Sequence, residues 1–194
     1  MKQRQRATDP RPTRPGAGRV DWYNNVFELI DMRSFSNLWY WISLAVVWST
    51  ASHWVLGVPY DMVTRAKRHG GEAETDLQAL VRINTARLLY IAQVSGLWLM
   101  GIVCFLLTVL ATLGFWYGIE FAQALFLILA PMSLVGALSV RAARRVSAGS
   151  GAGPELYRQL LRHRITTQGI GMLAIFITSM WGMWQNMQIG VLGH

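Results

Sequence analysis

Four long apolar runs, separated by short polar segments, dominate the pattern of this chain. They cover residues 38–58, 88–113, 119–140 and 165–187. Each run is about 20 residues or longer, which is enough for a helix to cross a hydrocarbon core of about 30 Å. Apolar positions continue at helical spacing beyond several of the runs, so some of these helices extend outside the membrane. The pattern predicts an all-α, polytopic membrane protein with four membrane-embedded helices.

The first run is more polar and more aromatic than the other three. Its Ser, Thr and His side chains project onto one side at about 100° per residue, while Trp41 and Trp48 lie on another. Such a run fits a packed spanning helix, whose polar side bonds to its neighbours, and it equally fits a re-entrant or interfacial segment. The other three runs are predicted to span.

Local signals place the ends of the later helices. The second run continues upstream into one predicted helix from about 76 to 113, with Thr75 able to cap it. Residues 114–118 (GFWYG) predict a tight turn with aromatic side chains at headgroup depth. Pro131 predicts a kink or break in the third run, because proline removes a helical hydrogen bond. Pro154 is well placed at the first position of the last helix.

The N-terminal part of the chain divides into two segments. Residues 1–20 are basic, contain three prolines and lack an apolar core, so they predict a disordered cytoplasmic tail and no signal peptide. Residues 21–34 carry apolar positions at helical spacing and predict an amphipathic helix that lies in the membrane interface. The helical membrane domain follows over residues 35–194.

The distribution of charge favours one arrangement of the runs. Of the 18 Lys and Arg residues, seven precede residue 36, five lie between Val58 and Leu88, and six lie between Arg141 and Arg164. Because cationic segments are retained in the cytoplasm, four simple crossings give a poor distribution of eleven cations against seven. A first run that enters and leaves on one side would make all 18 cytoplasmic. We therefore favour that arrangement over a four-crossing bundle.

Composition limits the classes of function. With 53% hydrophobic and 14% charged residues, the chain is too apolar for a typical soluble domain. Its cations lie beside apolar runs and form no nucleic-acid-binding module, which favours anionic lipid as the partner and argues against nucleic acid. The single cysteine, Cys104, can form no internal disulfide and cannot alone hold an iron–sulfur cluster. The sequence contains no nucleotide-binding loop, nucleophile elbow or paired carboxylates, so no enzyme activity is expected.

Tryptophans and small residues predict an interface with a partner protein. Tryptophans of the first run offer a broad apolar face, and small residues at roughly four-residue steps in the last run would let another helix approach closely. The residues expected in this interface are Trp39, Trp41, Trp48, His53, Trp54, Gly171, Ala174, Thr178 and Gly182.

Arginines that flank the last two runs are candidates for binding phospholipid headgroups, although such arginines are also ordinary cytoplasmic flanks of membrane helices. The candidates are Arg144, Arg145, Arg162 and Arg164.

Two ionisable residues lie within or beside the apolar runs. His53 is deep in the first run, where it is either a candidate ligand for haem or bacteriochlorophyll or a histidine bonded within a helix interface. Glu120 begins the third run and fits an interfacial carboxylate at a helix N-terminus better than a proton relay. No metal site and no cofactor other than bound phospholipid is expected.

Part of the chain resembles a known family. The segments FELIDMRSFSN at 27–37, LWYW at 38–41 and HWVLGVPYDMV at 53–63 are similar to an uncharacterised family of alphaproteobacterial integral membrane proteins. Members of that family are sometimes labelled as components of the Suf iron–sulfur assembly complex. The resemblance brings no catalytic motif. It implies a multi-pass protein of a bacterial inner membrane that is rich in respiratory and photosynthetic complexes.

These observations lead to one main prediction and two alternatives. The chain is predicted to be a non-enzymatic accessory or scaffolding subunit that packs against a larger energy-transducing membrane complex, with its basic segments in the cytoplasm. The first alternative is a membrane anchor or assembly factor for a soluble cytoplasmic machine such as the Suf system. The second is a subunit that binds haem or pigment through His53.

Overall fold

The computed structural model describes residues 34–149 and 152–192, with side chains described as far as Met187. The predicted basic tail at 1–20 lies outside these residues, as does the predicted amphipathic helix at 21–34 apart from Ser34. Within the described part, the chain is almost entirely helical, which confirms the all-α class.

Six helices and one short hairpin make up the described region. In chain order they are a 3₁₀ turn at Ser34–Ser36, α1 at Leu38–His53, β1 at Trp54–Val55, β2 at Val58–Pro59, α2 at Tyr60–His69, α3 at Glu72–Val94, α4 at Gly96–Ala111, a π turn at Thr112–Trp116, α5 at Glu120–Ser147 and α6 at Gly153–Leu192.

Three of these helices are long and apolar enough to cross a membrane, so the chain is a membrane protein. The qualifying segments in the described region are Gly96–Trp116, Glu120–Ser147 and Gly153–Met187. They correspond to the second, third and fourth apolar runs. The helix of the first run, α1, has 16 residues and is about 24 Å long at 1.5 Å per residue.

The first run forms a helix followed by a tight hairpin. The side chain of Asn37 accepts a hydrogen bond from the Trp39 amide at 3.0 Å and so caps the start of α1. The helix ends at His53 because the next residues pair as antiparallel strands, with Val55 opposite Val58. Leu56 and Gly57 make the turn with positive φ angles of 51° and 74°.

The two ends of α1 lie at opposite ends of α6. Phe35, just before α1, packs against Gly182, whereas Trp48 packs against Gly171. Beyond α1, Val55 of the hairpin shares a core with the first turns of α6. Within the described structure, α1 therefore runs along α6 from one end of the bundle to the other, whereas the distribution of charge favoured a first run that returns to the end where it starts. The reason is packing, since burying Phe35 and Trp48 together requires the whole length of α1 to lie along the bundle.

The predicted single helix from 76 to 113 is interrupted at Ser95. This residue has φ −117° and ψ 3°, and it separates α3 from α4. The Leu99 amide still donates to the Ser95 carbonyl at 2.8 Å, and a Ser–Gly pair is a usual place for a helix to kink. Thr75 does not cap α3, because the helix already begins at Glu72 and the Thr75 hydroxyl donates to the Glu72 carbonyl at 2.7 Å.

The turn before α5 and the start of α6 follow the prediction closely, whereas Pro131 does not break α5. α4 continues into the π turn, and Gly118, with a φ of 72°, then reverses the chain before α5. α5 is uninterrupted across Pro131, so the predicted break is absent from this helix. α6 begins at Gly153, next to Pro154, and runs for 40 residues, or about 60 Å.

Buried apolar residues form two clusters. One joins α1, α5 and α6 and consists of Leu44, Trp48, Val135 and Ala174. The other lies where the hairpin, α2 and α3 meet the C-terminal end of α5 and the N-terminal end of α6. We call this region, residues 54–94, 141–149 and 152–166, the basic head. It holds eleven Lys and Arg residues against five carboxylates. Its core consists of Val55, Leu56, Val58, Val63, Ala66, Leu77, Val81, Val146, Leu156 and Leu160.

Candidate functional site

Most of the predicted partner interface is used within the chain itself. A Cβ atom on Gly171 would lie 2.7 Å from Cε3 of Trp48, so the small-residue seam of α6 does accept a closely packed helix. That helix is α1 of the same chain, which corrects the expectation that the seam is open to a partner. The residues taken up in this internal contact or at its edges are Trp41, Trp48, Gly171, Ala174, Thr178 and Gly182.

The remaining predicted interface residues are exposed at the two ends of α1. Trp39 is 63% exposed at its start and Trp54 is 50% exposed just after its end. His53 is the last residue of α1, is also exposed, and lies edge-on to Trp54 with ring centroids 5.9 Å apart. His53 lies deep in the apolar run of the sequence but at the very end of α1, because the hairpin ends the helix before the apolar run ends.

The buried histidine of the described region is His163, on α6. Its Nε2 atom lies 3.2 Å from the Ser139 hydroxyl oxygen. The Ser139 hydroxyl also lies 2.8 Å from the Val135 carbonyl, and both hydrogen bonds form together when His163 carries its hydrogen on Nε2. His163 thus links α6 to α5 in the basic head. Among the described residues, no group of three or more His, Cys, Asp or Glu could hold a metal ion.

A broad apolar surface lies on the side of α4 that the other described residues leave uncovered. Within the described structure no residue of α4 is buried, while α5 and α6 each bury residues against the bundle. Leu97 is 89% exposed and Trp98 is 78% exposed. A shallow apolar groove of about 350 Å³ runs along this side. We call its lining the α4 face: Leu97, Trp98, Gly101, Ile102 and Phe105.

The α4 face combines large side chains with one small one. Gly101 lies between Trp98 and Phe105 along the helix, and nothing lies within 4 Å of the position that its Cβ would occupy. A bulky side chain from another membrane helix can enter such a gap, and close approach at small residues is the usual basis of helix association in lipid. The sequence prediction missed this face because the second run is apolar all round. The sequence feature that could have identified this face is Gly101, which lies between the aromatic residues Trp98 and Phe105.

A polar cluster joins the helices at the end of the molecule opposite the basic head. The buried Gln123 of α5 donates from Nε2 to the Gly114 carbonyl at 2.8 Å. Its Oε1 accepts from the Trp181 indole at 2.9 Å and from the Gln185 amide. We call these four residues the Gln123 cluster. It ties the turn after α4 to α5 and α6, and its role is structural.

Glu120 extends this connection to the start of α1. It is the first residue of α5, as an interfacial carboxylate at a helix N-terminus should be. Its Oε1 accepts a hydrogen bond from the Phe35 amide at 2.7 Å. The Trp41 indole in turn donates to the Phe35 carbonyl at 3.0 Å. Glu120 therefore holds the chain where α1 begins.

The four predicted headgroup arginines do not form one site. The guanidinium of Arg164 lies over the Tyr60 ring, 3.6 Å from its centroid, and so holds α2 to α6. Arg144 lies in a separate groove beside Leu89 and Gln93 of α3. Arg145 and Arg162 do share a cleft, and Arg141 lines it with them.

The described region thus offers an exposed apolar face on α4 and a cleft lined by arginines, together with internal contacts that hold the bundle. The α4 face suits another apolar helix, and the cleft suits an anion.

Comparison with known proteins finds no family model that matches the chain, and no curated protein or solved structure with significant similarity to it.

Proposed function

We propose that this protein is a non-enzymatic accessory subunit of a larger membrane protein complex, which it joins through the α4 face. The observation that carries the proposal is that α4 contributes no buried residue to the described fold yet exposes Trp98 and Phe105 on either side of Gly101. Aromatic side chains beside a small residue are suited to close packing between membrane helices, because a side chain of the partner helix can fill the space above the glycine. The complex is of the energy-transducing kind, respiratory or photosynthetic, that the resemblance suggests.

The proposed orientation places the basic head in the cytoplasm of a bacterial inner membrane. The head has eleven of the 18 Lys and Arg residues, against seven before residue 36, so the positive-inside rule favours this placement over the inverse one by a modest margin. Described residues at the opposite end, around Ser34–Ser36, the π turn and the Gln123 cluster, include no Lys or Arg. We infer further that α1 crosses the membrane beside α4, α5 and α6, because it lies along α6 between these two ends.

The α4 face can be tested by purification of the tagged full-length chain from its native membranes in a mild detergent, followed by mass spectrometry. The double variant Trp98→Ala with Phe105→Ala should lose co-purified membrane proteins by about tenfold or more, since removal of a central aromatic anchor commonly costs 2 kcal/mol or so. The matched control is Phe176→Ala with Trp184→Ala, which removes equally bulky side chains that are 63% and 56% exposed on α6.

Two outcomes would count against the proposal. Equal recovery of partners with the α4 variant and with the wild type would show that the face is covered by lipid alone. Purification of the wild type only as a free monomer or homodimer would contradict the proposed accessory role.

A second candidate is an anchor for a soluble cytoplasmic machine, with the Suf system among the possibilities. The observation that favours it is that the basic head has its own buried core, from Val55 to Leu160, and so presents a firm cationic surface beside the membrane. The same purification separates the two candidates. A soluble partner that remains bound to the α4 variant would favour the anchor.

A further inference from the structure

A cleft between α5 and α6 in the basic head gathers three guanidinium groups. Arg141 and Arg145 line it from α5, Arg162 lines it from α6, and its volume is about 240 Å³. We call it the arginine cleft. Gln159, His163 and Thr166 complete its polar lining, and none of the described residues that line it is a carboxylate.

Helical spacing places the polar groups of each wall on one side of their helix. Arg141 and Arg145 are four residues apart on α5, and Arg162 and Thr166 are four residues apart on α6, so each pair lies on one side of its helix. His163 is 8% exposed, and its ring is held by the contact with Ser139 of α5, which fixes the two walls relative to each other.

The cleft lies where the apolar surface of the bundle gives way to the basic head. Its apolar lining is Leu138 and Ala142, and the third apolar run of the sequence ends at residue 140, directly before Arg141. Along α6 the cleft ends at Thr166, where the fourth apolar run begins. An anion bound in the cleft therefore lies at headgroup depth, with apolar helix surface next to it for acyl chains.

We propose that the arginine cleft binds the phosphate of an anionic phospholipid headgroup. Guanidinium groups bind phosphate oxygens through two parallel hydrogen bonds, and the amide of Gln159 and the hydroxyl of Thr166 add uncharged donors. A free phosphate ion has the same chemistry, but the apolar surface beside the cleft favours a ligand with acyl chains. This site does not depend on the α4 face and does not require that the chain belong to a complex.

The test uses the full-length protein in a zwitterionic detergent, with the shift in melting temperature measured on adding phosphatidylglycerol, phosphatidylcholine or inorganic phosphate. Phosphatidylglycerol should stabilise the wild type at a concentration at least tenfold lower than phosphatidylcholine requires. The triple variant Arg141→Gln, Arg145→Gln and Arg162→Gln should lose that preference. The charge-matched control replaces three exposed arginines elsewhere in the basic head, Arg65, Arg68 and Arg87, with Gln and should keep it.

Each other outcome overturns the assignment in a distinct way. Equal loss in both triple variants would mean that general attraction to a basic surface accounts for the binding. Stabilisation by inorganic phosphate as strong as that by phosphatidylglycerol would assign the cleft to a free anion. If the triple variant does not fold, the single variant Arg162→Gln replaces it, because Arg162 is exposed and its substitution should leave the fold intact. An unchanged preference for phosphatidylglycerol in that single variant would contradict the proposal.

Discussion

Replacing Gly171 with alanine should destabilise the protein by about 1–3 kcal/mol, the usual cost of adding a methyl group to a closely packed contact. The new Cβ would lie 2.7 Å from Cε3 of Trp48, closer than atoms in contact can approach. Trp48 is only 4% exposed and packs with Leu44, Val135 and Ala174, so its ring has little room to move away. Separation of α1 from α6 is the expected consequence.

Gly169 provides the matched control, two residues earlier on the same helix. Nothing lies within 4 Å of the position of its Cβ, so Gly169→Ala meets no obstacle. Because glycine within a helix costs about 0.5–1 kcal/mol relative to alanine, this control should be neutral or slightly stabilising. Thermal unfolding in detergent, followed by circular dichroism, should show a lower melting temperature for Gly171→Ala and no decrease for Gly169→Ala. Equal shifts would contradict the packing of α1 on α6.

The second large effect is expected from Gln123→Leu. Leucine has a similar size but can neither donate to the Gly114 carbonyl nor accept from Trp181 and Gln185. Each buried polar group left without a partner costs about 1–3 kcal/mol, so a loss of about 3 kcal/mol or more is expected. The melting temperature should fall by roughly 2–4 °C for each kcal/mol.

An exposed glutamine on α3 gives the comparison for this variant. Gln93→Leu makes the same chemical change at the surface, where a change within about 0.5 kcal/mol is usual. If Gln123→Leu unfolds at the same temperature as Gln93→Leu, the Gln123 cluster does not hold α5 and α6 together at this end. That result would leave the bundle dependent on apolar packing alone.

The helical class and the approximate positions of the long helices could be predicted from the sequence. An apolar run of about 20 residues has few other structures open to it in lipid, because its backbone must satisfy its own hydrogen bonds. The start of α6 beside Pro154 was also predictable, since proline lacks the amide hydrogen that a first helical turn does not need. These features depend on residues that are close in the chain.

The path of α1 could not be predicted in this way. The distribution of Lys and Arg favoured a first run that returns to its own side, but it carries no information about the contact between Trp48 and Gly171, which are far apart in sequence. The Gln123 cluster was missed for the same reason, since the partners of Gln123 on α6 lie 58 and 62 residues away.

The arginines of the candidate sites show the same limit of prediction from sequence. Their clustering in sequence predicted basic flanks beside the apolar runs, but the crossing of α5 and α6 decides which of the arginines line the same cleft. It brings Arg141 into the cleft with Arg145 and Arg162, while Arg164 turns away to stack on Tyr60. Sequence spacing alone gives only the side of each helix on which an arginine lies.

The central claim is that α1 runs from one side of the membrane to the other, and cysteine labelling tests it most directly. In a Cys104→Ala background, single cysteines at the exposed positions Ser36, Tyr117 and His69 can be probed with a membrane-impermeant maleimide in intact cells and in inverted vesicles. Ser36→Cys and Tyr117→Cys should react from the same side of the membrane, and His69→Cys should react from the other. Labelling of Ser36→Cys together with His69→Cys from one side would contradict the account.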